Sequence, residues 1–148
     1  MKCKGLFALF SIFIFSGFGS CSSSIQTACT ESFPRFESEI RYAMTAMVDT
    51  SGGRSLASVS SQNERKKWGK WSEERLREVQ GYLDVIETQS NPSMGRSAAK
   101  EELSQVANEL VTLSGYMERG RTLKIIATLQ RIQGHGRQAR LLACGITQ

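Results

Sequence analysis

The strongest constraint on the fold is a regular apolar pattern between residues 99 and 117. Apolar residues recur there at alternating steps of four and three, as Ala99, Leu103, Val106, Leu110, Leu113 and Met117. This spacing puts all six side chains on one face of an α-helix and is typical of helices that pack side by side in a bundle. Because one helix cannot bury such a face alone, the pattern predicts partner helices of similar length.

Three other segments have apolar residues at helical spacing. The first predicted helix begins at Phe33, with Pro34 in its first turn, where the missing N–H costs nothing. The second begins after Ser61, which is followed three residues later by a glutamate, as in a capping box. The fourth follows Gly120, with Thr122 as its cap. No segment has a convincing two-residue period, so the sequence predicts an all-α, antiparallel, up-down-up-down four-helix bundle.

The predicted core is formed by the inward faces of these helices. On the first helix the inward residues are Phe33, Phe36, Ile40, Ala43, Met44, Met47 and Val48. On the second they are Trp68, Trp71, Leu76, Val79, Leu83 and Ile86, and on the fourth Ile125, Ile126, Leu129, Ile132, Ala139, Leu142 and Ala143. Ser51-Gly52-Gly53 is expected to end the first helix, and residues 90–93 to form a turn. Gly134 and Gly136 are expected to interrupt or bend the fourth helix.

The first 21 residues have the features of an export signal. Lys2 and Lys4 precede a short apolar run at residues 6–15, which is too short to span a membrane. The signal ends in Phe18-Gly19-Ser20-Cys21, which resembles the lipobox of bacterial lipoproteins and implies a lipid on Cys21. The competing interpretation is ordinary cleavage after Gly19. On the lipoprotein interpretation, residues 1–20 are the signal, 21–30 the lipid anchor and tether, and 31–148 the bundle.

The cysteines agree with this interpretation. Of the four, Cys3 would leave with the signal and Cys21 would carry the lipid. Cys29 and Cys144 would then remain as one pair in an oxidising compartment, where disulfides form. We therefore predict a Cys29–Cys144 disulfide that closes nearly the whole domain.

The charge balance excludes little but points to one helix. Removing Lys2 and Lys4 lowers the net charge from +5 to +3, which is too small to indicate nucleic-acid binding. Arg121, Lys124, Arg131 and His135 share one face of the fourth helix and could bind anionic lipid, glycan or an acidic partner. Alternatively, these bases pair with acids of the third helix across the Gly120 turn. That interpretation, which we favour, matches Arg131 with Glu109 and places Arg137 and Arg140 near Glu102 and Glu101.

The second helix starts with a cluster of bases and tryptophans: Lys66, Lys67, Trp68, Lys70 and Trp71. Exposed tryptophans beside lysines could stack on sugars or meet a partner protein. The alternative is that the tryptophans close the end of the core. Because the first helix begins at the tether, the cluster should lie at the opposite end of a bundle nearly 40 Å long.

Catalysis and cofactors find little support. The chain has one histidine and no Cys/His or Asp/His cluster at metal-ligand spacing. Met44, Met47 and His135 resemble the residue types that hold haem in bundle cytochromes of the b562 type, but the predicted topology separates them by about 10 Å along the helix axis. We therefore expect no cofactor, no metal and no enzymatic activity.

These observations predict a cell-envelope protein, lipid-anchored and facing the periplasm, on the outer membrane if the source has one. The expected function is that of a helical interaction or accessory module for a membrane or cell-wall complex. The alternative is a ligand-binding module that holds glycan or an anionic polymer at the Trp68/Trp71 cluster. On the competing cleavage, the protein would be secreted or soluble in the periplasm.

Overall fold

The computed structural model describes residues 24–48, 61–88 and 94–145. These ranges form four helices and contain no strand. Helix α1 covers residues 25–48 and consists of Ile25–Thr27, a π-helical turn at Ala28–Ser32, and Phe33–Val48. Helices α2, α3 and α4 are Gln62–Glu87, Met94–Glu118 and Thr122–Cys144. The prediction of an all-α four-helix bundle is confirmed.

Helix α3 packs along both α2 and α4, and α4 also packs along α1. Helices α1 and α2 are joined by large side chains. The rings of Phe33 and Tyr82 lie 4.9 Å apart, and those of Tyr42 and Trp68 lie 6.5 Å apart. The bundle therefore has two distinct ends, one holding the start of α1 with the end of α4, and the other holding the start of α2 with the α3–α4 turn.

The core follows the predicted pattern most closely on α3, where all six predicted residues are buried. On α1, all of the predicted residues are buried except Met44, which is partly buried, and Val48, whose side chain lies outside the described part. On α4, Ile125, Leu129, Ile132 and Ala139 are buried, whereas Leu142 and Ala143 pack against the core from its edge.

Helix α1 begins earlier than the sequence suggests. Ile25 to Thr27 are helical, Ala28 is buried, and the Ser24 hydroxyl accepts from the Thr27 N–H at 3.3 Å. The segment expected to be a tether is therefore helical from residue 25 onward. Pro34 does not lie in the first turn of the helix, and because it lacks an N–H it cannot donate to the carbonyl four residues earlier. A π-helical turn precedes it, in which the Phe33 N–H donates to Ala28.

The start of α2 is as predicted, but its buried face is different. The Ser61 hydroxyl accepts from the Glu64 N–H at 3.2 Å, which confirms the cap. The buried residues of α2 are Trp68, Ser72, Arg75, Val79, Tyr82 and Ile86. Ser72, Arg75 and Tyr82 thus bring polar groups to the inner face. Trp71, Leu76 and Leu83 lie beside that face and are only partly buried. Ser72 is accommodated because its hydroxyl donates to the Leu110 carbonyl at 3.0 Å.

The turn between α3 and α4 depends on Gly120, whose φ of 61° lies in the left-handed region that glycine adopts without strain. Its N–H donates to Met117, and the Arg121 N–H donates to Tyr116. Helix α4 then begins at Thr122, with Arg121 in the cap position and no side-chain cap. The expectation that Thr122 caps the helix is wrong.

Neither glycine within α4 interrupts the helix, contrary to the expectation. Gly136 is buried, and a Cβ built there would lie 3.2 Å from Cε1 of Phe36. Gly136 therefore allows α4 to approach α1 closely. Nearby, Cys29 and Cys144 form the predicted disulfide, with their Cα atoms 5.8 Å apart. We call this the disulfide end of the bundle. The expected stop at residues 51–53 and the turn at residues 90–93 lie outside the described residues.

Candidate functional site

The tryptophan cluster is part of the core rather than an open binding surface. Trp68 is only 4% exposed, and its ring packs edge-to-face on Trp71 at 5.6 Å. Trp71 is half-buried, with its Nε1 3.5 Å from a Glu39 carboxylate oxygen. A buried indole offers no free face to a sugar ring, so the structure does not support the stacking role for Trp68. The tryptophans instead close this part of the core, as the alternative interpretation expected.

The lysines of the cluster are exposed and lie among further cations. Helix α2 begins beside the α3–α4 turn, so residues 61–70 and 114–124 share one end of the bundle, which we call the basic end. Its seven cations are Arg65, Lys66, Lys67, Lys70, Arg119, Arg121 and Lys124. The same two ranges include two carboxylates, Glu64 and Glu118, so the net charge of the basic end is +5. The remaining described residues carry eleven carboxylates against nine lysines and arginines, a net charge of −2.

Local contacts hold several of these cations in place. The guanidinium of Arg65 packs on the α3–α4 turn, where a Cβ built on Gly120 would lie 3.4 Å from its Cζ. Arg119 and Lys124 lie over the Tyr116 ring, at 5.8 Å and 5.4 Å from its centroid. Cation–π contacts of this kind fix a cation while leaving it exposed to solvent. The basic end is therefore partly pre-organised.

A groove of about 620 Å³ runs between α2 and α3 at the basic end. Arg65, Lys66, Lys70 and Glu73 line one side, and Ser114 and Glu118 line the other, so three cations face two carboxylates. Its base is open at Gly69, where a built Cβ would meet no atom within 4 Å. The groove gives the basic end a concave surface in addition to its charge.

The four bases predicted to share a face of α4 divide into two pairs. Arg121 and Lys124 are exposed and belong to the basic end. Arg131 instead forms a two-pronged ion pair with Glu109, at 2.7 and 2.9 Å, which confirms the predicted pairing. This hydrogen bonding raises the pKa of the Arg131 guanidinium. His135 Nδ1 lies 2.6 Å from Glu102 Oε2.

The expected partners of the last two arginines were wrong. Arg140 does not pair with the acids of α3 but reaches across to α1, where its Nη1 lies 3.1 Å from Glu37 Oε2. The reason is geometric, because α4 contacts both α1 and α3, and Glu102 is already occupied by His135. Arg137 is exposed and pairs with neither residue.

The sequence reading also missed a polar network between α1 and α2. Arg75 is 9% exposed, and its Nη1 lies 3.2 Å from Glu78 and 3.8 Å from Glu39. The Tyr82 hydroxyl donates to Glu78 Oε1 at 2.5 Å, and its oxygen also lies 3.1 Å from the Ser32 carbonyl oxygen. Burial, followed by the hydrogen bond to Glu78, raises the pKa of Tyr82 above its ordinary value. Charge pairing and the tyrosine hydrogen bond hold these groups together, as in a structural network, although Nε of Arg75 is buried without an acceptor.

Within the described residues, no group of three or more His, Cys, Asp and Glu side chains could hold a metal ion. In the same ranges, no helix combines the length and the apolar character needed to cross a bilayer. Comparison with protein-family models, with curated proteins and with solved structures finds no match, so the functional argument rests on the geometry of this chain.

Proposed function

We propose that this protein is a lipid-anchored envelope protein whose helical bundle docks an acidic partner protein of a membrane or cell-wall complex through its basic end. The observation that carries the proposal is the separation of charge along the bundle, with net +5 at the basic end and net −2 over the other described residues. A one-sided charge of this kind attracts and orients an oppositely charged partner more than it adds affinity.

The pairing of the cations supports the same conclusion. Outside the basic end, four of the nine described lysines and arginines have a carboxylate within ion-pair distance: Arg75, Lys100, Arg131 and Arg140. At the basic end, Lys66, Lys70 and Arg121 have none among the described residues. Unneutralised cations clustered at one end leave a charge for a partner to neutralise. Together with the groove beside Lys66 and Lys70, they form a concave, positive docking surface.

The start of α1 supports the orientation that the proposal requires. Ile25 lies four residues after Cys21, and four residues span at most about 14 Å. A lipid on Cys21 would therefore hold the disulfide end close to its bilayer. The 25 residues of α3 extend for about 37 Å, so the basic end would stand well clear of that membrane.

The alternative function, a ligand module for glycan or an anionic polymer, depended on exposed tryptophans and on clustered lysines. The burial of Trp68 removes most of the first argument. Trp68 has no exposed ring face, so a polymer would contact the exposed cations and the half-buried Trp71. The cations alone do not favour a polymer over an acidic protein, so the polymer becomes one outcome of the test below.

The test is in-cell photo-crosslinking from positions 66 and 124 of the full chain, with position 100 as the control. Lys100 is an exposed lysine near the other end of the bundle. We expect one dominant acidic protein to be attached from both test positions and not from the control. Charge reversal at two other positions of the basic end, Lys70→Glu with Arg121→Glu, should abolish the adduct.

An adduct that survives this charge reversal, or that forms equally from position 100, would refute docking at the basic end. Adducts to the sacculus or to an anionic polymer would assign the surface to the alternative function instead. The absence of any adduct from both test positions would also contradict the proposal, because both side chains are exposed.

A further inference from the structure

We propose that a second, separate groove between α1 and α4 binds a phosphate group. The groove has a volume of about 480 Å³ and is lined by Arg41 from α1 and by Gln130, Gln133, Arg137 and Arg140 from α4. This volume lies in the usual range for small-ligand sites. The site does not depend on the proposed function, since none of these residues belongs to the basic end.

The charge of the groove is positive because only one of its arginines is neutralised. Glu37 is the one carboxylate in the lining, and it is paired with Arg140 at 3.1 Å. Arg41 and Arg137 are exposed and have no partner among the described residues. The lining therefore carries a net charge of +2, contributed by two guanidinium groups on different helices.

Two buried side-chain atoms of the groove residues lack a hydrogen-bond partner, and one is a donor while the other is an acceptor. Nε of Arg140 is buried without an acceptor, and Oε1 of Glu37 is buried without a donor. Leaving either group unsatisfied is costly. Both atoms lie out of contact with solvent, so a ligand reaches them only when the Arg140 and Glu37 side chains move apart. A phosphate oxygen would then supply the missing acceptor, and a hydroxyl on the same ligand would supply the missing donor. The best-fitting ligand is thus a phosphate ester with a nearby hydroxyl, such as a glycerol phosphate.

The concave arrangement of these side chains favours a compact anion such as phosphate over the broad carboxylate surface of a protein. Guanidinium groups present paired N–H donors that match the oxygens of phosphate, and three of them surround one concavity. Gln130 and Gln133 add amide groups that can bind both oxygens and hydroxyls. At Gly134 a built Cβ would meet no atom within 4 Å, so the wall is open for a ligand to approach α4.

The experiment is an NMR titration of the purified, disulfide-bonded protein, following the Nε–Hε resonances of its arginines. The probes are inorganic phosphate, glycerol 3-phosphate and a short-chain phosphatidylglycerol below its micelle concentration, each at constant ionic strength in sodium chloride. We expect saturable shifts of the Arg41, Arg137 and Arg140 resonances. Arg41→Gln and Arg137→Gln should each weaken binding about tenfold, the loss expected for one charge-assisted hydrogen bond.

The control variant is Arg77→Gln with Lys100→Gln, which removes two exposed cations on α2 and α3, the helices that do not line the groove. It should bind as the parent protein does, whereas Arg41→Gln with Arg137→Gln should not bind measurably. A similar affinity for glycerol 3-phosphate and for the lipid would identify a soluble phosphate ester as the sufficient ligand. Tighter binding of the lipid would identify a lipid headgroup. The proposal is overturned if no probe gives saturable shifts, or if the groove variant and the control variant titrate alike.

Discussion

Two glycines in α4 offer a direct test of how closely α1 and α4 pack. Gly134 is exposed, and a Cβ built on it meets nothing within 4 Å. Gly136 is buried, and the same construction places a Cβ 3.2 Å from Phe36 Cε1. The two positions lie in one helix and differ mainly in their surroundings, so Gly134→Ala and Gly136→Ala form a matched pair.

The magnitudes follow from two opposing contributions. Replacing glycine by alanine inside a helix stabilises it by about 1 kcal/mol, and this gain applies at both positions. At Gly136 the new methyl group also pushes against the Phe36 ring, which is only 2% exposed and has no open space to enter. Overpacking of this kind costs about 1–3 kcal/mol. We expect Gly134→Ala to raise the free energy of unfolding by about 1 kcal/mol, and Gly136→Ala to leave it unchanged or lower it by up to about 2 kcal/mol.

Urea unfolding of the oxidised protein, followed by far-UV circular dichroism, measures both values. Adding Phe36→Leu to Gly136→Ala should recover part of the loss, which a double-mutant cycle would reveal as coupling between the two positions. Equal stabilisation by the two alanine variants would refute the close approach of α4 to Phe36. So would a Gly136→Ala effect that is independent of the residue at position 36.

Two further predictions concern stability. The Cys29–Cys144 bond spans 115 residues, and in the chain-entropy model its reduction should lower the free energy of unfolding by about 5 kcal/mol. Urea unfolding with and without reductant measures this difference, and a value below about 2 kcal/mol would contradict the prediction. Because the folded-state pKa of Tyr82 lies above its ordinary value of 10.0, unfolding releases its proton at high pH, and stability should fall by up to about 1.4 kcal/mol per pH unit above about pH 10. The Tyr82→Phe variant should lack this decline in stability at high pH. At neutral pH it should be about 1–3 kcal/mol less stable than the parent, because Glu78 loses a buried hydrogen-bond donor. If the variant loses stability at high pH as the parent does, the buried hydroxyl is not the cause.

The sequence predicted the helices whose apolar residues alone define the buried face. On α3 the alternating steps of four and three left one consistent face, and all six residues are buried. On α2 only Trp68, Val79 and Ile86 of the predicted residues lie on the buried face, and Trp71, Leu76 and Leu83 lie beside it. Arg75 lies between Glu78 of its own helix and Glu39 of α1, and the second of these contacts could not be seen in the sequence of α2. The early start of α1 was missed because most of residues 25–32 are polar and Pro34 resembles a helix start.

The candidate site shows the same limit. The Arg131–Glu109 pair could be predicted because a short turn fixes the register between α3 and α4. The Arg140–Glu37 pair could not, because it joins the first and last helices across 103 residues. The lysines of the basic end were identified from their cluster in the sequence. The periodic pattern correctly placed Trp68 on the inner face of α2, but its contact with Tyr42 of α1 could not be predicted from α2 alone.

The disulfide also determines how the domain carries mechanical load. Cys29 and Cys144 lie near the two ends of the described chain and are covalently joined. A force that pulls the two chain termini apart would therefore pass through the sulfur–sulfur bond, and the 114 residues between the cysteines would bear none of it. A pull between a membrane anchor and a partner at the basic end is different, because it runs along the helix axes and must be borne by the packing of the bundle. The disulfide thus protects the domain against a force between its two termini but not against a force between the disulfide end and the basic end. Single-molecule pulling from these two pairs of attachment points would distinguish the two cases.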